Sequence, residues 1–288
     1  MVLDGNPKPG TLFTDFLNSY QDTIIDVNIT PNRSDAASHY GIARDVCAYL
    51  KIELPLPQVT GFSELKNDES VKIKIDNPDD CPRYSGVVIK NVEVKPSPDW
   101  MQNTLRAIGL SPINNIVDAT NYVLHELGHP LHAFDLSKLN GEIVIRKSKV
   151  GEEIITLDKQ TRKLDGTELL ICNSEKPIAL AGVFGGLDSG INEGTKDIFI
   201  DSAYFNPSVV RKTSRRQQLF TDASFRFERG ADPQATLIAL TRVASLIKEI
   251  AGGEITGPVY DENPKPYQPV ELTLTSTYLQ SVTGTDIA

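Results

Sequence analysis

Cysteine is scarce in this chain, and no two cysteines lie close together. Cys47, Cys81 and Cys172 are odd in number and lack C-x-x-C spacing. That excludes a disulfide scaffold and a thiolate zinc site, and it suits a reducing cytosol. Long apolar runs are missing too, for none approaches the roughly 18 residues that a membrane span needs. The opening Met-Val-Leu-Asp-Gly-Asn-Pro-Lys-Pro-Gly has neither a basic start nor an apolar centre, and does not read as a signal peptide. Positive charge is in deficit, 29 Lys and Arg against 38 Asp and Glu, a net −9. Phosphate contact needs cations, so any RNA contact has to be local or shared with another subunit. Neither a membrane nor DNA is expected as a partner. The one basic cluster is Arg211, Lys212, Arg215 and Arg216, which reads as a solvated helix face before it reads as an RNA contact.

What is there is a globular composition. At 288 residues, 40% apolar and 23% charged, the chain can hold one large domain and one or two smaller pieces. Thr23–Ile29 alternates like a strand, Pro31 and Asn32 fit a turn, and Ser34 or Asp35 can cap a helix. That helix sets Ala36, Tyr40, Ala43, Cys47 and Leu50 on one face. Two prolines, a glycine and late charges make residues 51–70 linker-like. The first 60 residues look too small for a core of their own, and read as half of a split domain.

From Val71 to about Asp261 the pattern is mixed. Strands are expected at Val71–Asp76, Tyr84–Val94, Glu142–Lys147, Glu152–Leu157, Leu169–Asn173 and Lys196–Asp201. Helices are expected at Pro98–Ile108, Ile116–Leu127, Pro207–Gln217 and Pro233–Ala251. The last turns Ala239, Val243, Leu246, Ile247 and Ile250 inward and stops at Gly252-Gly253. Clustered strands suggest an α+β fold: a mixed-sheet domain with packed helices, flanked by partial domains at both ends. Residues 262–269 form a second linker. Val270–Thr275 then starts a strand that leads into a helical start where the chain stops, as in an excised fragment.

Two dense blocks carry chemistry. The stretch from Asn115 to Leu136 holds three of the four histidines within eight residues, behind Thr120-Asn121. Within it, His125-Glu126-Leu127-Gly128-His129 spells H-E-x-x-H, a zinc hydrolase signature that requires a continuing helix. Gly128 and Pro130 oppose that helix and favour a helix end turning into a loop. The second block runs from Asp201 to Pro233. Its Phe225-Arg226-Phe227-Glu228 resembles a class II synthetase signature without the supporting signatures, and a structural arginine–glutamate network is the stronger account. Ala181–Gly186 is glycine-rich but lacks the Gly-Lys-Ser/Thr of a phosphate loop, leaving a turn, or room for a ligand to approach the backbone. Thr120, Asn121, His132 and Asp201 together outline a polar pocket. No Ser-His-Asp or Cys-His arrangement is evident.

These blocks, in this order, resemble the β subunits of bacterial phenylalanyl-tRNA synthetases. The resemblance rests on IDVNITPNRSDAASHYGIARD (25–45), the 115–136 block, LAGVFGG (180–186) and FIDSAYFNPSVVRKTSRRQQLFTDASFRFERGADP (199–233). It implies the tail of a split domain over 1–60, a linker over 61–70, an editing module over 71–262, and a linker with the start of another domain over 263–288. It also implies a cytoplasmic heterotetramer with the α subunit and tRNA(Phe) as partners. ATP and magnesium would be bound outside this fragment, which itself needs no cofactor and no metal. The module would hydrolyse tyrosine wrongly esterified to tRNA(Phe). By resemblance His132 lines the tyrosine pocket, Thr120 and Asn121 lie near the ester, and Gly182 lies beside the ligand. Asp201 stands where many relatives have glutamate to read the phenolic hydroxyl, and it is shorter by about 1.3 Å. A non-catalytic module that binds tRNA or the α subunit is the alternative.

Overall fold

The computed structural model describes residues 8–12, 22–60, 62, 66–67 and 70–286. Parts of the expected split domain (1–7, 13–21) and of the expected linker (61, 63–65, 68–69) lie outside the described residues. In chain order the helices are α1 (His39–Leu50), α2 (Asp99–Ala107), α3 (Asn115–Leu127), α4 (Pro207–Gln217), α5 (Asp222–Arg229), α6 (Ala235–Ala251) and α7 (Ser276–Thr283). The strands are β1 (Lys66–Asn67), β2 (Lys72–Ile75), β3 (Arg83–Lys90), β4 (Leu131–Asp135), β5 (Glu142–Lys147), β6 (Val150–Ile155), β7 (Thr161–Asp165), β8 (Leu169–Cys172), β9 (Pro177–Leu180), β10 (Phe184–Gly185), β11 (Ile198–Tyr204) and β12 (Glu254–Glu262).

Two five-stranded sheets result, ordered β1-β12-β3-β11-β4 and β10-β9-β8-β5-β2, with β6 and β7 as a separate hairpin. Most pairs are antiparallel, and β2 with β5 and β1 with β12 run parallel. The α+β expectation therefore holds. Strand β3 (RYSGVVIK) is buried along nearly its whole length, because both faces of the first sheet are covered. Val87, Ile89, Ile198, Ile200 and Ala133 face one core with Ile116 and Val123 of α3 and Leu240, Val243 and Ile247 of α6. Tyr84, Val88, Phe199 and Phe134 alternate onto the other face. There they meet Ile143, Ile145, Leu170 and Leu180 of the second sheet.

Several local expectations are corrected. Thr23–Ile29 forms no strand, and Ile24, Ile25 and Val27 are exposed. Alternation makes a strand only where a partner edge exists, and none pairs with it among the described residues. Neither Ser34 nor Asp35 caps α1. They sit in a 3₁₀ turn, and the Ser38 hydroxyl accepts the Gly41 N–H at 2.9 Å. Val270–Thr275 is likewise irregular, with Val270, Leu272 and Leu274 exposed, before Thr275 caps α7. Helix α6 begins at Ala235, two residues after Pro233, and its five predicted inward residues are all buried.

Candidate functional site

The register of the central strands sets the site. Asp201 on β11 lies across from His132 on β4 and Gly86 on β3, so all three face the second sheet. Gly86 offers no side chain, and a Cβ there would fall 2.1 Å from the Phe199 ring. The partner of Asp201 is therefore the diagonal neighbour Tyr84, whose hydroxyl donates to Oδ2 at 2.7 Å. The His132 backbone N–H donates to Oδ1 at 3.0 Å. The Asp201 carboxyl is 4% exposed, and burial pushes its pKa up to about 7, against the opposing pull of these two hydrogen bonds. Desolvation outweighs two good donors here.

The cavity these residues border has a volume of about 430 Å³, within the range of small-molecule sites. Its wall takes Thr120, Asn121, His132, Gly182 and Asp201 together, so the structure brings all five predicted residues to one space. Helix α3 supplies the first two because Asn114 caps it, accepting the N–H groups of Ile116 and Val117. Val117, Thr120, Asn121 and Leu124, spaced three and four apart, form its cavity face. The Thr120 hydroxyl donates to the Val117 carbonyl at 2.7 Å, whereas the half-buried Asn121 amide makes no hydrogen bond within the described residues.

The His132 imidazole stands edge-on to Phe134, centroids 4.5 Å apart. It fills the space beside Gly185, where a Cβ would lie 2.9 Å from its Cε1. Burial lowers its pKa to about 4, so the ring is neutral at pH 7, and its Nε2 has no hydrogen-bond partner among the described residues. Gly182 sits in a turn at φ +69°, and a Cβ would press on Phe205 (2.9 Å), Phe227 (3.0 Å) and Val210 (3.1 Å). The turn expected within Ala181–Gly186 is observed over residues 181–183, and Gly182 and Gly185 both line the cavity. The space a Gly182 side chain would need is taken by the protein's own aromatics.

Sequence reasoning missed Thr221, Asp222 and Ala223, which also line the cavity from the start of α5. The signal was the reciprocal cap of Thr221 and Ser224. The Thr221 hydroxyl also donates to the Val183 carbonyl at 2.9 Å, tying α5 to the glycine turn.

The zinc geometry is not met. Helix α3 ends at Leu127 with Gly128 in the left-handed region, φ +78°, so His129 leaves the helix that His125 closes. Glu126 pairs with Arg242 at 2.8 and 2.9 Å, and His129 is buried edge-on to Phe227. Among the described residues no three His, Cys, Asp or Glu side chains gather as metal ligands. Arg226 is buried and structural, but its acid is Asp222 at 3.1 Å rather than Glu228, which pairs with Arg229. Arg226 also donates to the Ala37 carbonyl at 3.2 Å, joining the first segment to α5. On α4, Arg211, Lys212 and Arg215 are exposed, and Arg216 pairs with Asp165 and Glu168. No described helix is long and apolar enough to cross a membrane.

The site is thus a cavity with one buried acid, set between a two-sheet core and helices. Residues 80–252 match the B3/4 domain family, and the chain belongs to it. Along its length it is similar to phenylalanine–tRNA ligase β subunits. That of Bacteroides fragilis (strain YCH46) is 48% identical over 290 residues, covering 99% of this chain and 35% of the relative. That of Porphyromonas gingivalis is 48% identical over 294 residues, covering 100% and 36%. The chain thus spans about a third of the length of these curated relatives. A solved N-terminal fragment of the phenylalanyl-tRNA synthetase β subunit from Pyrococcus horikoshii is 17% identical, with a TM-score of 0.48, covering 90% of this chain and 71% of that one.

Proposed function

We propose that this chain carries the editing site of a phenylalanine–tRNA ligase β subunit, hydrolysing tyrosine misattached to tRNA(Phe). The observation that carries the reading is the convergence of Thr120, Asn121, His132, Gly182 and Asp201 on one cavity that holds a single buried acid. An apolar synthetic pocket rejects an analogue bearing one extra hydroxyl by only about 100-fold. A second pocket that must hydrogen-bond that hydroxyl rejects the bare ring by roughly 10⁴-fold, since its own buried polar groups would go unpaired. The His132 Nε2, buried and without a hydrogen-bond partner among the described residues, is such a group, and Asp201 keeps one acceptor direction open on each oxygen. Ile171, Ala179 and Leu180 supply apolar lining for a ring.

In this reading Asp201 and His132 hold the side chain, while Thr120, Asn121 and the backbone at Gly182 flank the ester. Water is the nucleophile. The Thr120 hydroxyl is spent on a helix carbonyl, and burial pushes the Cys81 thiol up and the Cys172 thiol up to about 11. Asn121, with its free amide, orients water or the ester carbonyl. Residues 71–262 form the editing module, 1–60 the tail of a split domain, 61–70 a linker, and 263–288 a linker and the start of another domain. The partners are the α subunit and tRNA(Phe), in the cytosol, with ATP and magnesium serving the ligase reaction outside this fragment. Deacylation of tyrosyl-tRNA(Phe) and phenylalanyl-tRNA(Phe), followed side by side, tests the reading. Selective loss of the tyrosyl ester is expected; equal, uncatalysed rates for both would overturn it.

A further inference from the structure

The cavity presents an acid whose two oxygens are both already engaged by the protein. Oδ1 takes the His132 N–H at 3.0 Å and Oδ2 takes the Tyr84 hydroxyl at 2.7 Å. Tyr84 is fully buried and does not line the cavity, so it cannot touch a ligand. Its only route to function is through Asp201. Each carboxylate oxygen has two acceptor directions, and a donor fixed on each leaves one direction per oxygen for a ligand. Aspartate is a short side chain at this position, and a fixed carboxylate makes the most of limited reach.

We infer that Tyr84 is a specificity-determining positioning residue: its hydroxyl holds Oδ2 of Asp201 so that the acid accepts a phenolic hydroxyl, and thereby sets the preference for a hydroxylated over a bare ring. This rests on the editing reading above. Geometry supplies the reason for the choice of residue. The position across from Asp201 on β3 is Gly86, and the Phe199 ring covers it. The diagonal position is the nearest on that strand that can deliver a donor, and a tyrosine ring spans the gap. The ionisable groups around Asp201 are Tyr84 and Cys81 from β3 and its approach, and His132 from β4. From β8 and β9 the cavity receives only apolar Ile171, Ala179 and Leu180. Among the described residues Tyr84 is thus the one side-chain donor holding the charged form of Asp201.

Two measurements on the 288-residue chain and its Tyr84→Phe variant test this. Calorimetric binding of free tyrosine and free phenylalanine should show that Tyr84→Phe loses about ten-fold or more of the tyrosine preference while phenylalanine affinity changes less than about two-fold, as removal of a hydrogen bond to a charged group predicts. A merely structural role would weaken both ligands alike, and that result, or an unchanged preference, overturns the inference while leaving the editing reading standing. No tyrosine preference in the unmodified chain removes the editing reading instead. The second measurement needs no ligand. The Asp201 carboxyl ¹³C titration should move to higher pH in Tyr84→Phe, and an unmoved midpoint overturns the inference. Should that variant fail to fold, 3-fluorotyrosine at position 84 keeps the ring and strengthens the donor, and the midpoint should then move down.

Discussion

His132 and Asp201 are joined twice: as cross-strand neighbours in the ladder of β4 and β11, and by the His132 N–H that donates to Oδ1 of Asp201 at 3.0 Å. Sixty-nine residues separate them in sequence. The imidazole and the carboxyl therefore share one wall of the cavity because the backbone register requires it. A slip of one residue between the two strands would put them on opposite faces of the sheet.

Asp201→Ala should abolish the preference for tyrosyl over phenylalanyl ester. The substitution removes the cavity's buried acid and leaves the Tyr84 hydroxyl and the His132 N–H without their acceptor. A cost of about 1–3 kcal/mol in folding stability accompanies each stranded donor. Deacylation rates for the two esters, measured beside urea unfolding, separate lost selectivity from lost fold. A variant that unfolds normally and still prefers the tyrosyl ester would exclude Asp201 from recognition.

Selectivity should also depend on pH. The Asp201 pKa stands at about 7, so the carboxyl is charged above that value and gains a proton below it. A protonated acid is a poorer acceptor for a phenol. His132, lowered to about 4, stays neutral throughout, and Tyr84 and Cys81 are both raised by burial. The ratio of tyrosine to phenylalanine affinity should therefore fall as pH drops from 8 to 6, approaching ten-fold per unit below the midpoint. The ratio cancels titration of the amino and carboxyl groups that the two ligands share. A flat ratio would mean that Asp201 ionises elsewhere or takes no part.

How much of this was legible beforehand follows from the physics of each element. Strand β5 and helix α4 match their expected spans, Glu142–Lys147 and Pro207–Gln217, since their burial periodicity is local. Strand β4 went unseen because LHAFD sits among histidines and has only five residues. Its identity as a strand comes from β11 beside it. Thr23–Ile29 shows the converse, a local pattern without a partner edge. A shared pocket for His132 and Asp201 follows from their residue types and from the resemblance, whereas their pairing across the β4–β11 ladder is visible only in the register. The Tyr84 hydrogen bond is a diagonal contact across a glycine, invisible until the register is known.

Acid should destabilise the fold through its buried imidazoles. His129 and His132 titrate near 4 when folded, both lowered by burial, against about 6.5 in an unfolded chain. Between these values the unfolded state binds more protons, so stability falls as pH drops from 6.5 towards 4. Asp201 opposes this. Raised to about 7, it holds its proton in the folded state, and its contribution is lost as pH rises through that value. Two protons against one leave a net slope of about 1 kcal/mol per pH unit from these three groups. His129→Leu removes one of the two, and its unfolding free energy should depend less steeply on pH by about that amount. Equal slopes for variant and parent in urea melts at pH 5 and 6.5 would contradict the account.

Gly182→Ala should impair folding and site together, and the reason is local. At φ +69° any L side chain is strained, at a cost of about 1–2 kcal/mol. The new methyl would also lie 2.9 to 3.1 Å from Phe205, Phe227 and Val210. Relief requires moving Phe205 or Phe227, and both rings line the cavity. Overpacking of this kind costs roughly 1–3 kcal/mol more. Thermal unfolding should register the sum as a drop of several degrees. Tyrosine affinity, measured well below that transition, should fall as well, because the displaced rings intrude on the ligand's space. Ala181→Gly, one residue earlier in the same turn, adds no Cβ and serves as the control: it should lower stability modestly through chain entropy and leave tyrosine affinity in place. If both variants lose affinity equally, the turn matters for its rigidity and the rings do not convey the effect.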